Sequence, residues 1–305
     1  MSKKILITGG AGFIGSNLAL KLQKDYPENQ YFIIDNFSSG SYENLVDFRG
    51  DVITGSLAKI NLEKYFPKGY DVIFHQASIT DTTCFDQEKM MFENVEGFRN
   101  VLELAKKFNA QIIYASSAAV YGLSNPPMKE GFNENPANIY GFSKLAMDNI
   151  AKQNFENLKI TGLRYFNVYG PKEAHKGKMA SMVWQMYVDI KAGKAPKLFE
   201  FGDQSRDQVY VKDIVNANIL AWQKGKSGIF NVGSGKETTF NDILENINKI
   251  LKTNIKAQYI KNPYSHYQNN TLADLSKTKE QLGYEAQYSI EKGTEDYLNF
   301  LEQKI

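Results

Sequence analysis

Ile5-Leu6-Ile7-Thr8-Gly9-Gly10-Ala11-Gly12-Phe13-Ile14-Gly15 is the stretch that decides how the rest of the chain is read. Ile5 to Thr8 has the length and β-branching of a buried strand. Glycines at 9, 12 and 15 follow, and then Ser16-Asn17-Leu18-Ala19-Leu20-Lys21-Leu22 has helical periodicity. A strand, a glycine turn and a helix in that order let backbone N–H groups approach a pyrophosphate, and the helix N-terminus adds positive potential. Glycines alone mark many tight turns. Here a second strand, Tyr31-Phe32-Ile33-Ile34-Asp35, ends on an acid twenty residues after Gly15. A carboxylate at that distance suits the ribose hydroxyls of an adenine dinucleotide.

Working outward, further strand candidates are Val52-Ile53-Thr54, Val72-Ile73-Phe74-His75, Gln111-Ile112-Ile113-Tyr114-Ala115 and Ile160-Thr161-Gly162-Leu163. Helical patterns over Val95–Phe108 and Gly141–Asn154 fall between them. The alternation predicts an α/β, Rossmann-type, doubly wound parallel sheet. After Pro171 strand signals become short, and Gly, Lys and Pro cluster at 172–178 and 191–197. The division expected is a dinucleotide-binding domain over 1–167 and a smaller α/β substrate-binding region over 168–305. Segments around 205–225 are expected to return to the first domain. No long linker separates the two.

With 36 Lys and Arg against 34 Asp and Glu in 305 residues, the net charge is +2. That balance gives no reason to expect nucleic acid or an anionic membrane as partner. No apolar run approaches the ~18 residues of a bilayer span, and the apolar run before the glycines is too short for a secretory signal. The lone Cys84 fits a reducing compartment, and a cytoplasmic location is the expectation. Histidines at 75, 175 and 266 are too few and too scattered for a metal cluster, so no metal is expected.

Chemistry enters at Tyr140-Gly141-Phe142-Ser143-Lys144, where a phenol and an ammonium sit four residues apart on one helix face. A free tyrosine, with a pKa of about 10, is a poor base at neutral pH. A neighbouring ammonium stabilises its phenolate and brings it into a useful range. The pair gains specificity from Tyr114-Ala115-Ser116-Ser117-Ala118-Ala119-Val120-Tyr121-Gly122, which delivers hydroxyls from a strand end. At the carboxyl edge of a parallel sheet, a serine there can hold a substrate oxygen while Tyr140 exchanges its proton.

Together with Arg206-Asp207-Gln208-Val209-Tyr210-Val211-Lys212-Asp213 and Phe230-Asn231-Val232-Gly233-Ser234-Gly235, these motifs resemble the extended short-chain dehydrogenase/reductases of the nucleotide-sugar epimerase/dehydratase type. The resemblance runs essentially end to end. It implies Tyr140 as acid/base, Lys144 as its tuner and a ribose contact, and Ser117, or Ser116, as the group orienting the reacting hydroxyl. It further implies cofactor contacts from Gly9, Gly12, Phe13, Ile14, Gly15, Asp35, Asn36, Gln76, Ala77, Ser78, Thr80, Asn94, Lys144, Val168 and Lys176. The cofactor itself stays open between two forms. The absence of a basic residue between Asp35 and Arg49 favours NAD, whereas the family commonly binds NADP.

A finer resemblance comes from Tyr169-Gly170-Pro171-Lys172-Glu173-Ala174-His175-Lys176-Gly177-Lys178-Met179-Ala180-Ser181 and Pro196-Lys197-Leu198-Phe199-Glu200-Phe201-Gly202. These are similar to the ADP-L-glycero-D-manno-heptose 6-epimerases of lipopolysaccharide core biosynthesis. That similarity implies an ADP-sugar substrate, a homo-oligomer, and Lys176 as a second acid/base residue. Epimerisation by oxidation and reduction returns hydride to the opposite face of a ketone, so a proton carrier on each side is useful. Asn167, Lys178, Gln185, Phe199, Glu200, Phe201, Gly202, Arg206 and Tyr267 would line the substrate pocket. Lys178 and Gln185 stand where the family pattern has Ser and His. Arg206 suits a diphosphate, the alternative being a structural ion pair with Asp207 or Asp213. The rival readings are a UDP-hexose 4-epimerase, which needs no Lys176, and a non-catalytic nucleotide sensor on the same fold. A dehydratase is disfavoured by Ala118-Ala119, where that chemistry uses an acid pair.

Overall fold

Near-continuous apolar runs form parallel strands when helices cover both faces of their sheet, and the chain uses them in this way. The computed structural model describes residues 2–84, 86–262 and 268–303. The strands, in chain order, are β1 (Lys4–Thr8), β2 (Gln30–Asp35), β3 (Asp51–Thr54), β4 (Val72–His75), β5 (Gln111–Ser117), β6 (Ile160–Tyr165), β7 (Asn167–Tyr169), β8 (Lys197–Phe199), β9 (Ser205–Tyr210), β10 (Gly228–Val232), β11 (Glu237–Thr239) and β12 (Gln258–Ile260). The α-helices are α1 (Phe13–Asp25), α2 (Leu62–Tyr65), α3 (Gln87–Met91), α4 (Gly97–Phe108), α5 (Ile139–Lys152), α6 (Met182–Lys191), α7 (Val211–Lys224), α8 (Phe240–Leu251), α9 (Ser276–Leu282) and α10 (Ile290–Glu302).

Seven strands make the main sheet in the order β10-β6-β5-β4-β1-β2-β3. Every pairing in it is parallel. The chain leaves β1 toward β2 and β3, then crosses back to β4 on the other side. The carboxyl ends of β1 and β4 therefore flank a topological switch point, the place where such sheets bind ligands. Pleating sends alternate residues to opposite cores. Ile113 and Ala115 join Leu18 and Leu22 of α1 and Ile214 and Ala217 of α7 on one face. Ile112 and Tyr114 join Phe98 and Leu102 of α4 and Met147 of α5 on the other. A third core lies among α6, α8, α10 and β9, built on Val183, Met186, Ile243, Ile247 and Leu298. The smaller sheets, β11-β9-β7 and β12-β8, belong to this second layer.

The expected α/β architecture is the one observed, with differences that have local causes. The helix expected over Val95–Phe108 begins at Gly97, because Phe92–Glu96 forms a π-helical turn before it. The helix expected from Gly141 starts at Ile139, since Asn138 caps it by accepting from the Gly141 amide at 2.9 Å. Beyond Pro171 the chain serves both layers. α7 packs on α1 and the main sheet, and β10 is that sheet's seventh strand. Among the described residues, no helix is long and apolar enough to cross a membrane.

Candidate active site

At the switch point the glycine turn is built by close contact. Gly9 has φ +67°, and a Cβ on it would lie 2.6 Å from the backbone of Ala77 in the loop after β4. A Cβ on Gly15 would overlap the Gly9 carbonyl oxygen, so no side chain is tolerated there without opening the turn. Beside the turn, Asp35 is fixed by two backbone donors, the Ala11 amide at 2.9 Å and the Phe37 amide at 2.8 Å. Burial raises its pKa, and those amides oppose the rise. Gly9, Gly12, Asp35, Asn36, Gln76, Ala77, Ser78 and Asn94 line a narrow cleft here, joined by Ser38, Ser39, Gly40 and Glu93.

Gln76 and Ser78 also line the neighbouring cavity, about 510 Å³, so cleft and cavity adjoin. Phe13, Ile14, Thr80, Lys144, Val168 and Lys176 contribute to this cavity wall, as do Tyr140, Ser116 and Ser117. All the expected cofactor residues thus border one of the two spaces except Gly15, whose part is to let the turn close. Asn94, in the π-helical turn, is buried and spans two elements. It accepts from the Ile79 amide at 2.8 Å, donates to the Ile79 carbonyl at 3.1 Å and meets Ser143 Oγ at 3.0 Å. It ties the loop after β4 to the helix that carries Tyr140.

Within the cavity, Lys144 is 1 % exposed and donates from Nζ to the Ala115 carbonyl at 2.8 Å. Its ammonium lies 5.9 Å from the centre of the Tyr140 ring. Burial brings its pKa down to about 7, against the opposing pull of Asp148 one turn along α5. Tyr140 is pushed up by burial, and a hydrogen bond with Ser117 works the other way. Ser117 Oγ also accepts from the Ala119 amide at 3.1 Å, which fixes it at the strand end. Ser116, 2 % exposed, borders the same cavity with its hydroxyl unpartnered. A buried hydroxyl in that state suits a polar ligand. His75 is held neutral by burial, its pKa lowered to about 3, and meets Thr8 Oγ1 at 2.9 Å.

Lys176 reaches the cavity from the short 3₁₀ segment Ala174–Met179, with Nζ 5.4 Å from the centre of the Phe13 ring. Burial lowers its pKa and Glu173 raises it. Asn167, Lys178, Gln185 and Arg206 line the same space. Gln185 donates to the Ala180 carbonyl at 2.7 Å. Arg206 donates to the carbonyls of Ser205 and Asn269 at 2.8 and 2.7 Å, its guanidinium 5.6 Å from the Phe240 ring centre. The acids weighed as its ion-pair partners are held otherwise. Asp207 takes the amides of Ser234, Gly235 and Ala273, and Asp213 takes those of Gln287 and Tyr288.

Phe199, Glu200, Phe201 and Gly202, expected beside the substrate, are not among the residues that line this cavity. Their turn is pinned from outside, with the Glu200 amide on the Ile260 carbonyl and Asn241 donating to the Phe201 carbonyl. Phe201 is left 75 % exposed. Tyr267 and His266 lie outside the described residues. Sequence reading missed Tyr165, Phe166, Met179, Gln208 and Phe240, which the cavity gathers from separate elements. Met179 and Gln208 stood inside quoted motifs and were available to be found. Among the described residues, no group of three or more His, Cys, Asp or Glu is placed to hold a metal.

The comparisons with known proteins agree with this geometry. The sequence pattern of the NAD dependent epimerase/dehydratase family matches residues 5–233. The crystal structure of Helicobacter pylori ADP-L-glycero-D-manno-heptose-6-epimerase is 42 % identical, with a TM-score of 0.94 over 99 % of this chain and 96 % of that one. The UDP-glucose 4-epimerase of Thermotoga maritima, solved with UDP-glucose, is 30 % identical with a TM-score of 0.92 over 99 % of each chain. The UDP-glucuronic acid 4-epimerase of Bacillus cereus, solved with UDP-glucuronic acid and NAD, is 25 % identical with a TM-score of 0.88, over 99 % of this chain and all of that one. A glycine turn, a tyrosine beside a buried lysine and end-to-end likeness converge, and the chain belongs to the NAD dependent epimerase/dehydratase family.

Proposed function

We propose that this chain inverts C6 of ADP-D-glycero-β-D-manno-heptose to give ADP-L-glycero-β-D-manno-heptose, by way of a transient ketone, for lipopolysaccharide core assembly. The carrying observation is Lys176 in the same cavity as Tyr140 and Lys144. A 4-epimerase has no need of a lysine there, whereas inversion through two opposed faces uses a second proton carrier. The 42 % identity to the Helicobacter pylori enzyme supports the reading.

The glycine turn and the adjoining cavity fit a nicotinamide dinucleotide: a cradle of small residues that a Cβ would fill, a fixed carboxylate at Asp35 and, in the cavity, a partnerless Ser116 hydroxyl. Such a cofactor takes hydride from the alcohol carbon and returns it to the ketone. Tyr140 removes the hydroxyl proton on one face, and Lys176 delivers a proton on the other. Lys144 stabilises the phenolate of Tyr140, Ser117 and Ser116 hold the sugar oxygen, and Arg206 answers the diphosphate. NAD is favoured over NADP. Asn36, Ser38, Ser39 and Gly40 beside Asp35 carry no cation, and the guanidinium of Arg49 is spent on the carbonyls of Val46 and Phe48 at 3.1 and 3.4 Å.

The deciding experiment incubates purified protein with a panel of sugar nucleotides and identifies the released cofactor by mass spectrometry. Interconversion of the two ADP-heptose epimers without added cofactor is the expected result. Turnover of UDP-galactose with none of ADP-heptose would give the site to a 4-epimerase. Light scattering on the same sample tests the expected homo-oligomer.

A further inference from the structure

Glu173 is a buried acid that none of the proposed roles uses. It lies next to the segment that carries Lys176, is wholly buried, and spends both carboxylate oxygens on the two ends of one loop. Oε1 accepts from the Gly170 amide at 3.1 Å and from Ser181 Oγ at 2.8 Å, while Oε2 accepts from the Ser181 amide at 2.7 Å. One side chain thus fastens residue 170 to residue 181 and closes the loop between them. Both ends are otherwise fixed as well. Gly170 has φ +143°, and a Cβ there would lie 2.6 Å from Val211, while Ser181 caps α6 by accepting from the Trp184 amide at 3.2 Å.

The closed loop reaches across the site. Lys172 donates to the Asn44 carbonyl at 2.8 Å, and Asn44 in turn donates to the Ala11 carbonyl of the glycine turn at 3.0 Å. His175 meets Asn44 at 3.3 Å on that side, and the next residue, Lys176, faces the cavity above Phe13. Gly177 follows with φ +54° and nothing within 4 Å of where a Cβ would stand. The lysine therefore stands on a short segment with open space on its C-terminal side.

We infer that Glu173 is a positioning residue for Lys176, closing the 170–181 loop so that the lysine stays in the cavity. This deepens the two-base reading and rests on it. A buried carboxylate that makes three hydrogen bonds to the two ends of a loop is an expensive group to keep unless its geometry is needed. In Glu173→Gln the side chain keeps its length but presents an NH₂ to the Ser181 amide, and one fastening is lost.

Rapid mixing of each ADP-heptose epimer with the holoenzyme, followed by absorbance of the reduced nicotinamide ring, separates the two faces. Lys176→Met is expected to let reduced cofactor build up from the epimer oxidised through Tyr140 and not from the other. Glu173→Gln is expected to show the same asymmetry, with the Lys176-side step about 10- to 100-fold slower, as small misplacements of a reacting group cost. Its cofactor retention and melting temperature should stay near those of the parent. Adding Glu173→Gln to Lys176→Met should change neither transient further.

Equal slowing from both epimers, or no slowing, overturns the role of Glu173. If Lys176→Met itself shows no asymmetry, the two-base reading fails instead, and the two failures are distinguishable. Should Glu173→Gln not fold, Ser181→Ala, which removes one bond to the carboxylate together with the cap of α6, should give the same asymmetry at smaller size. Equal transients in that variant overturn the proposal too.

Discussion

At the scale of single residues, the burial of Lys144 lowers the stability of the fold. Its pKa falls from an ordinary 10.5 to about 7 on burial, so the folded protein pays to keep the ammonium charged. The sign follows from proton counting. Between pH 7 and 10.5 the unfolded chain holds the proton more tightly, so this group's penalty is full below 7 and gone above 10.5. Lys144→Met removes the penalty. The difference in melting temperature, variant minus parent, is therefore expected to shrink as pH rises from neutral toward 10.5, measured by scanning calorimetry at several pH values. A difference that grows with pH would sink this account. Tyr140→Phe keeps the ring and loses the hydroxyl proposed to carry the proton. Epimerisation should fall by about 10²- to 10⁴-fold, with nucleotide retention unchanged when the released cofactor is quantified.

At the scale of elements, helix α5 is aimed by the ion pair beneath it. Asp148 lies one turn past Lys144, accepts from Arg164 Nη2 of β6 at 2.8 Å and Nε at 2.9 Å, and accepts the hydroxyl of Tyr114 of β5 at 2.8 Å. Both ionic partners have fully buried side chains. Asp148→Ala leaves the guanidinium only Glu134 and Tyr121, and should cost about 3–5 kcal/mol, read from urea midpoints at unchanged m. Gly15→Ala, by contrast, acts on the turn itself. Because its Cβ would overlap the Gly9 carbonyl, the variant should purify without nicotinamide nucleotide, as mass spectrometry of the denatured protein would show.

How much of these elements the sequence announces depends on what stabilises each one. β1, β2 and β4 were legible because burial on both faces demands unbroken apolar runs. β9 is equally buried but carries Arg206 and Asp207, which draw partners from residues 234–235 and 269–273. No local pattern marks a strand satisfied from so far away. The turn at 199–202 is likewise held from far along the chain, by Ile260 and Asn241. The Tyr140/Lys144 pair was legible because helical spacing alone brings it together, and Glu173 was not, because its partners lie at −3 and +8.

At the scale of the molecule, the expected cut at residues 167 and 168 meets a chain that crosses its own boundary. β10 extends the main sheet beyond β6, with Gly228 to Val232 registered on Thr161 to Tyr165. α7 lays Ile214, Val215, Ala217 and Ala221 over Ile5, Ile7, Phe74 and Ile113. A fragment of residues 1–167 would expose the part of that face that α7 covers and open β6 as an edge, which invites pairing with other chains. Residues 168–305 would in turn leave α7 and β10 with no sheet to join. Folding free energies of about 5–15 kcal/mol do not survive losses on that scale. The full chain is therefore expected to unfold as one unit, with near- and far-ultraviolet circular dichroism lost at the same midpoint. The 1–167 fragment should be insoluble or lack near-ultraviolet circular dichroism. A soluble fragment with native dichroism, or two separate transitions in the full chain, would show that the two layers fold independently and that the crossing strand and helix are dispensable to them.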